Sequence, residues 1–329
     1  MYYIDNNENT DPWLNLALEE YVVRQLDKNN DYLLLYINAP SIIIGKHQNV
    51  IEEVNLINAG QLGIPIIRRI SGGGTVYHDT GNLNFSVITN QTLKNFNKYL
   101  NFLKPVLEVL KDLNLDASLN KRNNILINDK KISGNAQFTS RQRLLSHGTL
   151  LVDSDLKMIK RLIKPENPEL YHSKSTKSIR STITSISQRL KQVISAEDVK
   201  QKILHKIFGE SIITYELGKS DWIEIEELAA NKYKTWDWNY GLSPECRINK
   251  SIGSDIGVIN LDILIADGLI KSLSVQNQKL NEKQRNTICQ YFTNQPYDYV
   301  TIRSLQDKIN KDASLNFLNE LSWIKILLN

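Results

Sequence analysis

The stretch RRISGGGTVYHD, residues 68–79, is the densest group of chemically useful residues in this chain of 329. It follows an apolar run that predicts a strand over 64–67, and it carries three of the chain's 15 glycines side by side. Because glycine lacks a Cβ and adopts unusual backbone angles, such a run lets backbone N–H groups crowd around an anion. Arg68 and Arg69 add positive charge. The stretch predicts a phosphate-binding loop between two strands, with a flexible hairpin turn as the alternative.

The glycine run does not have the spacing of the two best-known nucleotide-binding loops. No Gly-Lys-Ser/Thr follows it, as the Walker loop requires, and no helix pattern opens after it, as the dinucleotide fingerprint requires. If the loop binds a nucleotide, the fold around it is therefore a different one.

Two further segments contain residues that can carry chemistry. In KISGNAQ, residues 131–137, a lysine on a predicted strand precedes small residues, so one ammonium can sit between a carboxylate and a phosphate. A solvated surface lysine is the alternative, since Lys130 is adjacent. His147 lies on the apolar strand predicted over 144–152, where a structural histidine is more common than a catalyst. The other histidines lack the spacing of metal ligands.

The composition is that of an ordinary globular protein. Hydrophobic residues make up 41% and charged residues 23%, and the formal net charge of +4 is too small and too dispersed for a dedicated nucleic-acid binder. No apolar run reaches membrane-spanning length, and the N-terminus lacks the pattern of a secretory signal, so we expect a cytoplasmic protein without membrane or nucleic-acid partners. Cys246 and Cys289 are too isolated to indicate a disulfide or a zinc ribbon.

Alternation and capping signals predict a mixture of helices and strands. Helices are predicted over 9–18, 51–59, 97–113, 153–163 and 199–208. The expected caps are Asp11, Asp153 and a capping box of Ser195 and Asp198, and Gly60 is the expected end of the second helix. Strands are predicted over 32–37, 41–44, 84–88, 125–127 and 131–132, the first two of these pairing with each other. Asp267-Gly268 predicts a hairpin turn. The pattern changes near 241–244, which predicts a large domain over 1–244 and a small α+β domain over 245–329.

A set of motifs in a fixed order resembles the lipoate-protein ligase A family. The motifs are NLALEE (15–20), GKHQN (45–49), the block 68–84, RN (122–123), KISGNAQ (131–137), HGTLL (147–151), KSIRS (177–181) and TWDWNYG (235–241). Each motif alone is a weak signal, but the ordered set is specific.

The resemblance implies a fold, a reaction and partners. The fold is α+β, with a large mixed-sheet catalytic domain of the biotin/lipoate ligase type and a smaller α+β C-terminal domain. Members of the family activate lipoate with ATP and Mg²⁺ to lipoyl-AMP, release pyrophosphate, and acylate one lysine of a lipoyl carrier domain. That carrier is the acyltransferase subunit of a 2-oxoacid dehydrogenase or the glycine-cleavage H protein.

Matching motifs also imply roles for individual residues. Lys131 is the implied catalytic residue, bridging the lipoate carboxylate and the α-phosphate. Besides Lys131, the implied ATP-binding residues are Arg69, Gly74, Thr75, Val76 and Tyr77. The implied substrate-binding residues, again with Lys131, are Arg68, Ser71, Gly72, Gly73, His78, Asp79, Asn82, Asn123, Gly134, His147 and Gly148.

The implied chemistry needs positioning and charge stabilisation, because a carboxylate attacks phosphorus without a protein nucleophile. The mixed anhydride must be shielded from water, and the Ser/Thr/Lys-rich stretch 164–182 is the expected lid. An apolar slot for lipoate is expected from the strands around 69–76 and 147–151.

The chain departs from the family pattern in three places. Asn124 stands where the family usually has an aspartate near the metal, so Asn124 is the expected metal residue and Mg²⁺ binding is expected to be weaker. The run 180–185 loses one cation and one amide relative to the family. The C-terminal domain matches only in general character, which leaves carrier preference, oligomeric state and the choice between lipoate and octanoate open.

Three rival interpretations stay open. A lipoyl or octanoyl transferase of the same fold needs a reactive cysteine in the core domain, whereas Cys246 and Cys289 lie beyond it. A biotin ligase would show its own Gly-Arg-Gly-Arg-rich loop. A protein that binds lipoate or a carrier domain without activating lipoate is the non-enzymatic alternative, and Asn124 is the feature that favours it.

Overall fold

A computed structural model of the chain describes residues 1–92, 96–163, 170–312, 315 and 321–328. Its strands are β1 (Tyr2–Ile4), β2 (Tyr32–Ile37), β3 (Ser41–Ile44), β4 (Ile66–Arg68), β5 (Val76–His78), β6 (Asn82–Asn90), β7 (Ala117–Leu119), β8 (Ile125–Ile127), β9 (Lys130–Ser133), β10 (Asn135–Ser140), β11 (Arg143–Leu151), β12 (Tyr171–Ser173), β13 (Cys246–Ser254), β14 (Gly257–Ala266) and β15 (Leu269–Gln276).

Helices α1–α8 lie between the strands in the sequence, and helices α9–α11 follow the last strand. They are α1 (Pro12–Arg24), α2 (Val50–Glu53), α3 (Leu56–Leu62), α4 (Tyr99–Asp112), α5 (Leu156–Leu162), α6 (Ile186–Leu190), α7 (Ala196–Phe208), α8 (Lys219–Leu228), α9 (Glu282–Phe292), α10 (Tyr299–Ile309) and α11 (Trp323–Leu328), with π-helical turns at Ala229–Tyr233 and Asp237–Gly241. No helix among the described residues is long and apolar enough to cross a membrane.

The chain divides into two compact units, each built from several segments. The first unit contains Met1–Lys46, Ile67–Ile159 and Ser178–Thr235. The second unit contains His47–Ile66, Lys160–Lys177 and Trp236–Asn329. The single boundary between residues 244 and 245 stays a prediction.

A five-stranded mixed sheet organises the described part of the first unit. Its order is β1-β2-β6-β11-β10, with β1 and β2 parallel and the other pairs antiparallel. Apolar side chains on one face, such as Leu35, Phe85 and Leu150, pack in one buried cluster with residues of α4 and α7. Helix α1 contacts β2, β6 and β11. Alternation along each strand therefore separates an apolar layer from the face that carries Ser86 and His147.

Two three-stranded sheets of the first unit position the candidate site. In the order β4-β3-β5, the first of them holds the glycine stretch between its two outer strands. The second has the order β7-β8-β9 and carries Lys131 on its last strand. The second unit has an antiparallel sheet in the order β12-β13-β14-β15, with α9 against β15.

The predicted α+β class with mixed sheets is confirmed, and so are several local signals. Asp11 caps α1, its carboxylate accepting the N–H groups of Trp13 and Leu14. Ser195 and Asp198 form the predicted capping box of α7. Asp267 and Gly268 both adopt positive φ angles, as a two-residue hairpin turn of β14 and β15 requires.

The predicted pairing of the strands at 32–37 and 41–44 is wrong. Strand β2 pairs with β1 and β6, whereas β3 pairs with β5. Hydrogen bonds to other parts of the unit prevent the connecting turn from forming a hairpin. The side-chain amide of buried Asn38 bonds to Asn15 and His78, and the N–H of Ala39 donates to the carbonyl of Thr10.

Two helix predictions also need correction. The helix predicted over 51–59 is two helices, because Val54 is extended and Asn55 caps a new helix through the N–H of Asn58. The second of them ends at Gly63, not Gly60, whose missing Cβ instead leaves room for Tyr299. Helix α5 is capped by Asp155 rather than by the predicted Asp153.

Candidate functional site

The glycine stretch forms a loop that is built around the side chain of Arg69. This arginine is 8% exposed, and its Nη2 donates to the carbonyl oxygens of Gly72 (2.7 Å) and Gly74 (2.8 Å). Its Nε lies 3.1 Å from the Ser71 hydroxyl oxygen. Burial lowers the pKa of Arg69 to about 10, so the guanidinium remains charged at neutral pH. The loop therefore wraps its carbonyls around an internal cation.

Arg68 has an equivalent internal role one residue earlier. Its side chain is fully buried, and its Nη1 donates to the carbonyl oxygens of Gly45 (3.0 Å) and Lys46 (3.1 Å). Both arginines directly precede the glycine run, as the sequence shows. Their described hydrogen bonds, however, go to protein oxygens, and direct ligand contact stays a prediction for both.

Glycine is structurally required at Gly73 of this loop and at Gly45, which packs against the loop. A Cβ at Gly45 would lie 2.1 Å from the Gly73 carbonyl oxygen. Gly73 has a φ of +97°, and a Cβ there would approach Arg69 Nη2 to 2.9 Å. Gly72, in contrast, faces open space. The glycines thus allow close packing on one side and access on the other.

The loop presents backbone donors that have no protein acceptor in the described part of the chain, namely the N–H groups of Gly72, Gly73 and Gly74. Thr75 donates its N–H to the Ser178 hydroxyl at 2.9 Å. Val76 and Tyr77 continue into β5 and pair with β3. Successive free N–H groups in such a turn form a concave anion site. Phosphate binding by this loop stays a prediction, and its unpaired N–H groups are the feature that favours it.

Lys131 places an ammonium group beside this loop. Its backbone is fixed on both sides, since its N–H donates to Thr182 and its carbonyl accepts from Thr184. The side chain passes over Gly134, where a Cβ would lie 2.8 Å from Nζ. No hydrogen bond or ion pair of its ammonium occurs within the described residues. Burial, together with the charge of Arg69, lowers the pKa of Lys131 to about 8.

Asn124 lies beside Lys131. Its side-chain oxygen is 3.9 Å from the point that a Cβ of Gly134 would occupy, the point that Lys131 also approaches. The turn is held by Asn120, which accepts the N–H of Asn124, and by Asn123, which has a positive φ and accepts from Asn135. The amide of Asn124 is therefore directed into the site.

The donor set near Asn124 fits only a weakly held magnesium ion. Within the described residues, no group of three or more His, Cys, Asp or Glu side chains could hold a metal. Magnesium prefers carboxylate and phosphate oxygens and keeps several waters. One amide oxygen next to an ammonium suits a metal that is bound mainly by the phosphates of a nucleotide.

His147 belongs to a buried chain of hydrogen bonds. Its Nδ1 lies 2.9 Å from Oε1 of Glu19, and its Nε2 lies 2.7 Å from the Ser71 hydroxyl oxygen. Since a carboxylate only accepts, Nδ1 donates to Glu19 and Nε2 accepts from Ser71. Ser86 and Tyr36 also donate to Glu19. The network connects helix α1 and the large sheet to the glycine loop and fixes the tautomer of His147.

The other predicted polar residues lie around the turn after β5. His78 is buried, and burial with the charge of Arg69 lowers its pKa to about 3, so it is neutral. Asn38 donates to its Nδ1. The Asp79 carboxylate accepts the N–H groups of Gly81 and Asp155, and Asn82 donates to Asn84. Asp79 thus shapes this turn.

All of the predicted site residues lie in the first unit. Gly148 packs against Asn135 and Phe85, where a Cβ would clash with both. Three contributors were not assigned roles from sequence: Glu19, Gly45 and Ser178. Each of these residues lies within one of the quoted motifs, and that membership was the signal that could have identified it. Sequence spacing could not have related Glu19 to His147, which lies 128 positions later.

The predicted lid is described only in part, since its residues 164–169 lie outside the described residues. In the second unit, Glu52 accepts from Ser173 and Ser175 and from Lys177 Nζ, the last at 2.6 Å. In the first unit, the segment 178–182 lies along β9 and the glycine loop.

Of the two cysteines, Cys246 is buried, and both belong to the second unit.

Known proteins are similar to this chain in sequence and in fold. A family model described as the lipoyl protein ligase A/B catalytic domain matches residues 11–208. The lipoate-protein ligase LplJ of Bacillus subtilis is 42% identical over 279 residues, covering 84% of each chain.

Two solved structures are similar as well. A bi-partite lipoate protein ligase of Thermoplasma acidophilum, studied with its E2 lipoyl domain, has a TM-score of 0.62 at 26% identity and covers 73% of this chain and 96% of its own. A lipoate-protein ligase A bound with ATP has a TM-score of 0.61 at 27% identity and covers 70% of this chain and 95% of its own. The resemblance drawn from the ordered motifs is confirmed: the chain belongs to the lipoate-protein ligase A/B family.

Proposed function

We propose that this chain is an ATP-dependent lipoate-protein ligase that makes lipoyl-AMP and transfers the lipoyl group to a lysine of a carrier domain. Its membership of the ligase family supports the activity. The observation that carries the proposal is the ammonium of Lys131, which has no partner among the described residues and lies beside a loop with free N–H groups. That combination suits two anions that must approach each other.

In the first half-reaction, a carboxylate oxygen of lipoate attacks the α-phosphorus of ATP. The new bond joins this oxygen to phosphorus, and the bond from phosphorus to the bridging oxygen of pyrophosphate breaks, so pyrophosphate leaves with the electron pair. Lys131 offsets the repulsion between carboxylate and phosphate and stabilises the charge that develops. Gly134 makes this possible, because a side chain there would displace the ammonium.

In the second half-reaction, the neutral amine of a carrier lysine attacks the carbonyl carbon of the mixed anhydride. The carbon–oxygen bond to AMP breaks, and the amine loses a proton as the amide forms. The Thermoplasma acidophilum ligase was studied with an E2 lipoyl domain. We assign the same carrier class here, the acyltransferase subunit of a 2-oxoacid dehydrogenase or the glycine-cleavage H protein.

The nucleotide is assigned to the glycine loop and the start of β5. Arg69, Gly74, Thr75, Val76, Tyr77 and Lys131 are the proposed ATP-binding residues, supported by the unpaired loop N–H groups and by the similarity to an ATP-bound ligase. Arg69 shapes the loop, and its positive charge reaches the phosphates through space. The proposed substrate-side residues are Lys131 with Arg68, Ser71, Gly72, Gly73, His78, Asp79, Asn82, Asn123, Gly134, His147 and Gly148.

Magnesium is the proposed metal, and it would supply charge neutralisation at the triphosphate. Asn124 is the residue of this chain that would face it, contributing a neutral amide oxygen. The proposal further includes the domain organisation of 1–244 and 245–329, a lid over 164–182, an apolar lipoate slot beside His147, and a cytoplasmic location.

The rival interpretations make different demands on the residues. A transferase with a cysteine acyl-enzyme would need a reactive thiol in the catalytic domain, whereas both Cys246 and Cys289 belong to the second unit. A protein that only binds lipoate gains support from Asn124 alone. Binding of the lipoate carboxylate would account for the ammonium of Lys131, whereas the additional row of unpaired N–H groups suits a second anion.

Adding lipoate, ATP and Mg²⁺ to the purified protein should release pyrophosphate and form lipoyl-AMP. We expect Lys131→Ala to slow this release by on the order of 10²-fold or more, the scale of losing one preorganised charge-stabilising donor. Lys130→Ala is the matched control, because it removes the neighbouring exposed ammonium and should leave the rate nearly unchanged. Absence of pyrophosphate with the wild type would refute the ligase function, and a near-normal Lys131→Ala rate would refute the role of that residue.

The rate of adenylation should depend on the protonation of Lys131. Its pKa of about 8 lies below the ordinary value, so the ammonium is present below pH 8 and is lost above it. The value of kcat/KM for ATP should therefore fall above pH 8, approaching tenfold per pH unit. Bound phosphates favour the charged form, so the decline in kcat should begin at higher pH. Pyrophosphate release from pH 6.5 to 9.5 measures both, and identical declines in both quantities would contradict the assignment.

Replacing Asn124 by aspartate should reduce the magnesium concentration that half-saturates adenylation. The added carboxylate is a better ligand for a hard cation than an amide oxygen. Transfer from preformed lipoyl-AMP should stay the same, because that step releases no pyrophosphate. Asn128→Asp is the control, since it adds the same charge to an exposed turn of the β8–β9 hairpin. Equal magnesium titrations for Asn124→Asp and the wild type would place Asn124 away from the metal.

A further inference from the structure

The first unit contains an apolar cavity on the opposite face of the large sheet from His147. Residue pairing sets the two faces: His147 stands opposite Ser86, whereas the next pair, Ser146 and Val87, lines the cavity. Because successive residues of a strand point to opposite faces, the cavity and the Glu19–His147 network are separated by the sheet itself. The cavity is therefore a distinct feature of the unit.

Apolar side chains of the sheet and of two helices line most of this partly open cavity. Leu35 and Phe85 form its floor, Phe102 and Val106 of α4 form one wall, and Ile207 of α7 closes another. Its volume is about 220 Å³. The space is partly open, so the apolar atoms that line it face water and lack the packing partners of a closed core. A ligand that fills it regains those contacts.

The size and polarity of the cavity favour a flexible hydrocarbon chain. An engineered apolar cavity of about 150 Å³ binds benzene, so by the same proportion about 220 Å³ holds on the order of nine carbon atoms. Water is a poor occupant, since it needs two or more polar partners and the lining is dominated by hydrocarbon.

One end of the cavity carries a cation. Lys98, which directly precedes α4, is exposed and has the one charged side chain among the described residues that line the cavity. Gln137, also at this end, is already engaged, because its side chain accepts the N–H of Asn97 and donates to Ser146. The charge of Lys98 is thus the feature that can select the head group of a chain.

We propose that this cavity is a binding site for an unbranched medium-chain carboxylate, with the hydrocarbon chain inside and the carboxylate at Lys98. The site is separate from the one where lipoate is activated and does not depend on that activity. Occupation would stabilise the first unit, since the ligand binds the folded protein and has no site in the unfolded chain.

Equilibrium dialysis with labelled octanoate, in the absence of ATP, tests the proposal on the full chain. The variant Ile207→Trp places a larger side chain in the cavity, and we expect the wild type to bind one more octanoate per chain than this variant does. Equal numbers of bound octanoate molecules would overturn the proposal. Adenylation of lipoate, measured in parallel, should stay within about twofold in the variant, because distant sites act independently. A wild type that shows no adenylation of lipoate would refute the ligase function, but it would not refute this binding site.

Lys98→Met supplies a second test that does not alter the packed interior. It should weaken octanoate binding at the cavity by about fivefold, the scale of an exposed ion pair, and leave 1-octanol binding unchanged. Lys104→Met removes an exposed cation from the same helix outside the cavity and serves as the control. Equal octanoate affinities for Lys98→Met and Lys104→Met would overturn the assignment of the carboxylate to Lys98. Thermal unfolding of the wild type should also shift upward with octanoate, and no shift at saturation would contradict binding.

Discussion

The guanidinium of Arg69, enclosed by the carbonyls of its own loop, is the interaction on which the candidate site depends. By holding the oxygens of Gly72 and Gly74 inward, it leaves the N–H groups of the loop available to an anion. It also explains the glycine at position 73, since a Cβ there would approach this guanidinium too closely. Its charge contributes to the lowered pKa of Lys131. The buried guanidinium of Arg69 therefore shapes the glycine loop and also contributes to the lowered pKa of Lys131.

Local and family-level features could be predicted from the sequence, whereas long-range pairings could not. The cap of Asp11 and the hairpin at Asp267 follow from rules that act over a few residues. The family followed from the order of the motifs. The partnership of Glu19 and His147 joins residues 128 positions apart, and no periodicity encodes it. The prediction that β2 and β3 pair with each other failed for the same reason. Polar contacts between residues far apart in the sequence determine the strand pairing there.

The sequence also could not reveal how the predicted cations are used. Arg68 and Arg69 look alike as neighbouring charges, and the structure turns both toward backbone carbonyls. Lys130 and Lys131 look alike too, but only Lys131 passes over Gly134 and is partly buried. Burial and hydrogen bonding, which depend on the whole fold, decide which charge remains for a ligand. The proposed chemistry therefore rests on one lysine.

The central claim is that a carboxylate oxygen of lipoate attacks the α-phosphorus of ATP beside Lys131. Lipoate labelled with ¹⁸O in both carboxyl oxygens tests this directly, with ATP, Mg²⁺ and a lipoyl carrier domain present. AMP is isolated after transfer and its mass is measured. The account predicts one ¹⁸O atom in each AMP, because the attacking oxygen stays on phosphorus when the carrier lysine takes the acyl group. Lipoylated carrier accompanied by unlabelled AMP, or formed without AMP, would contradict it.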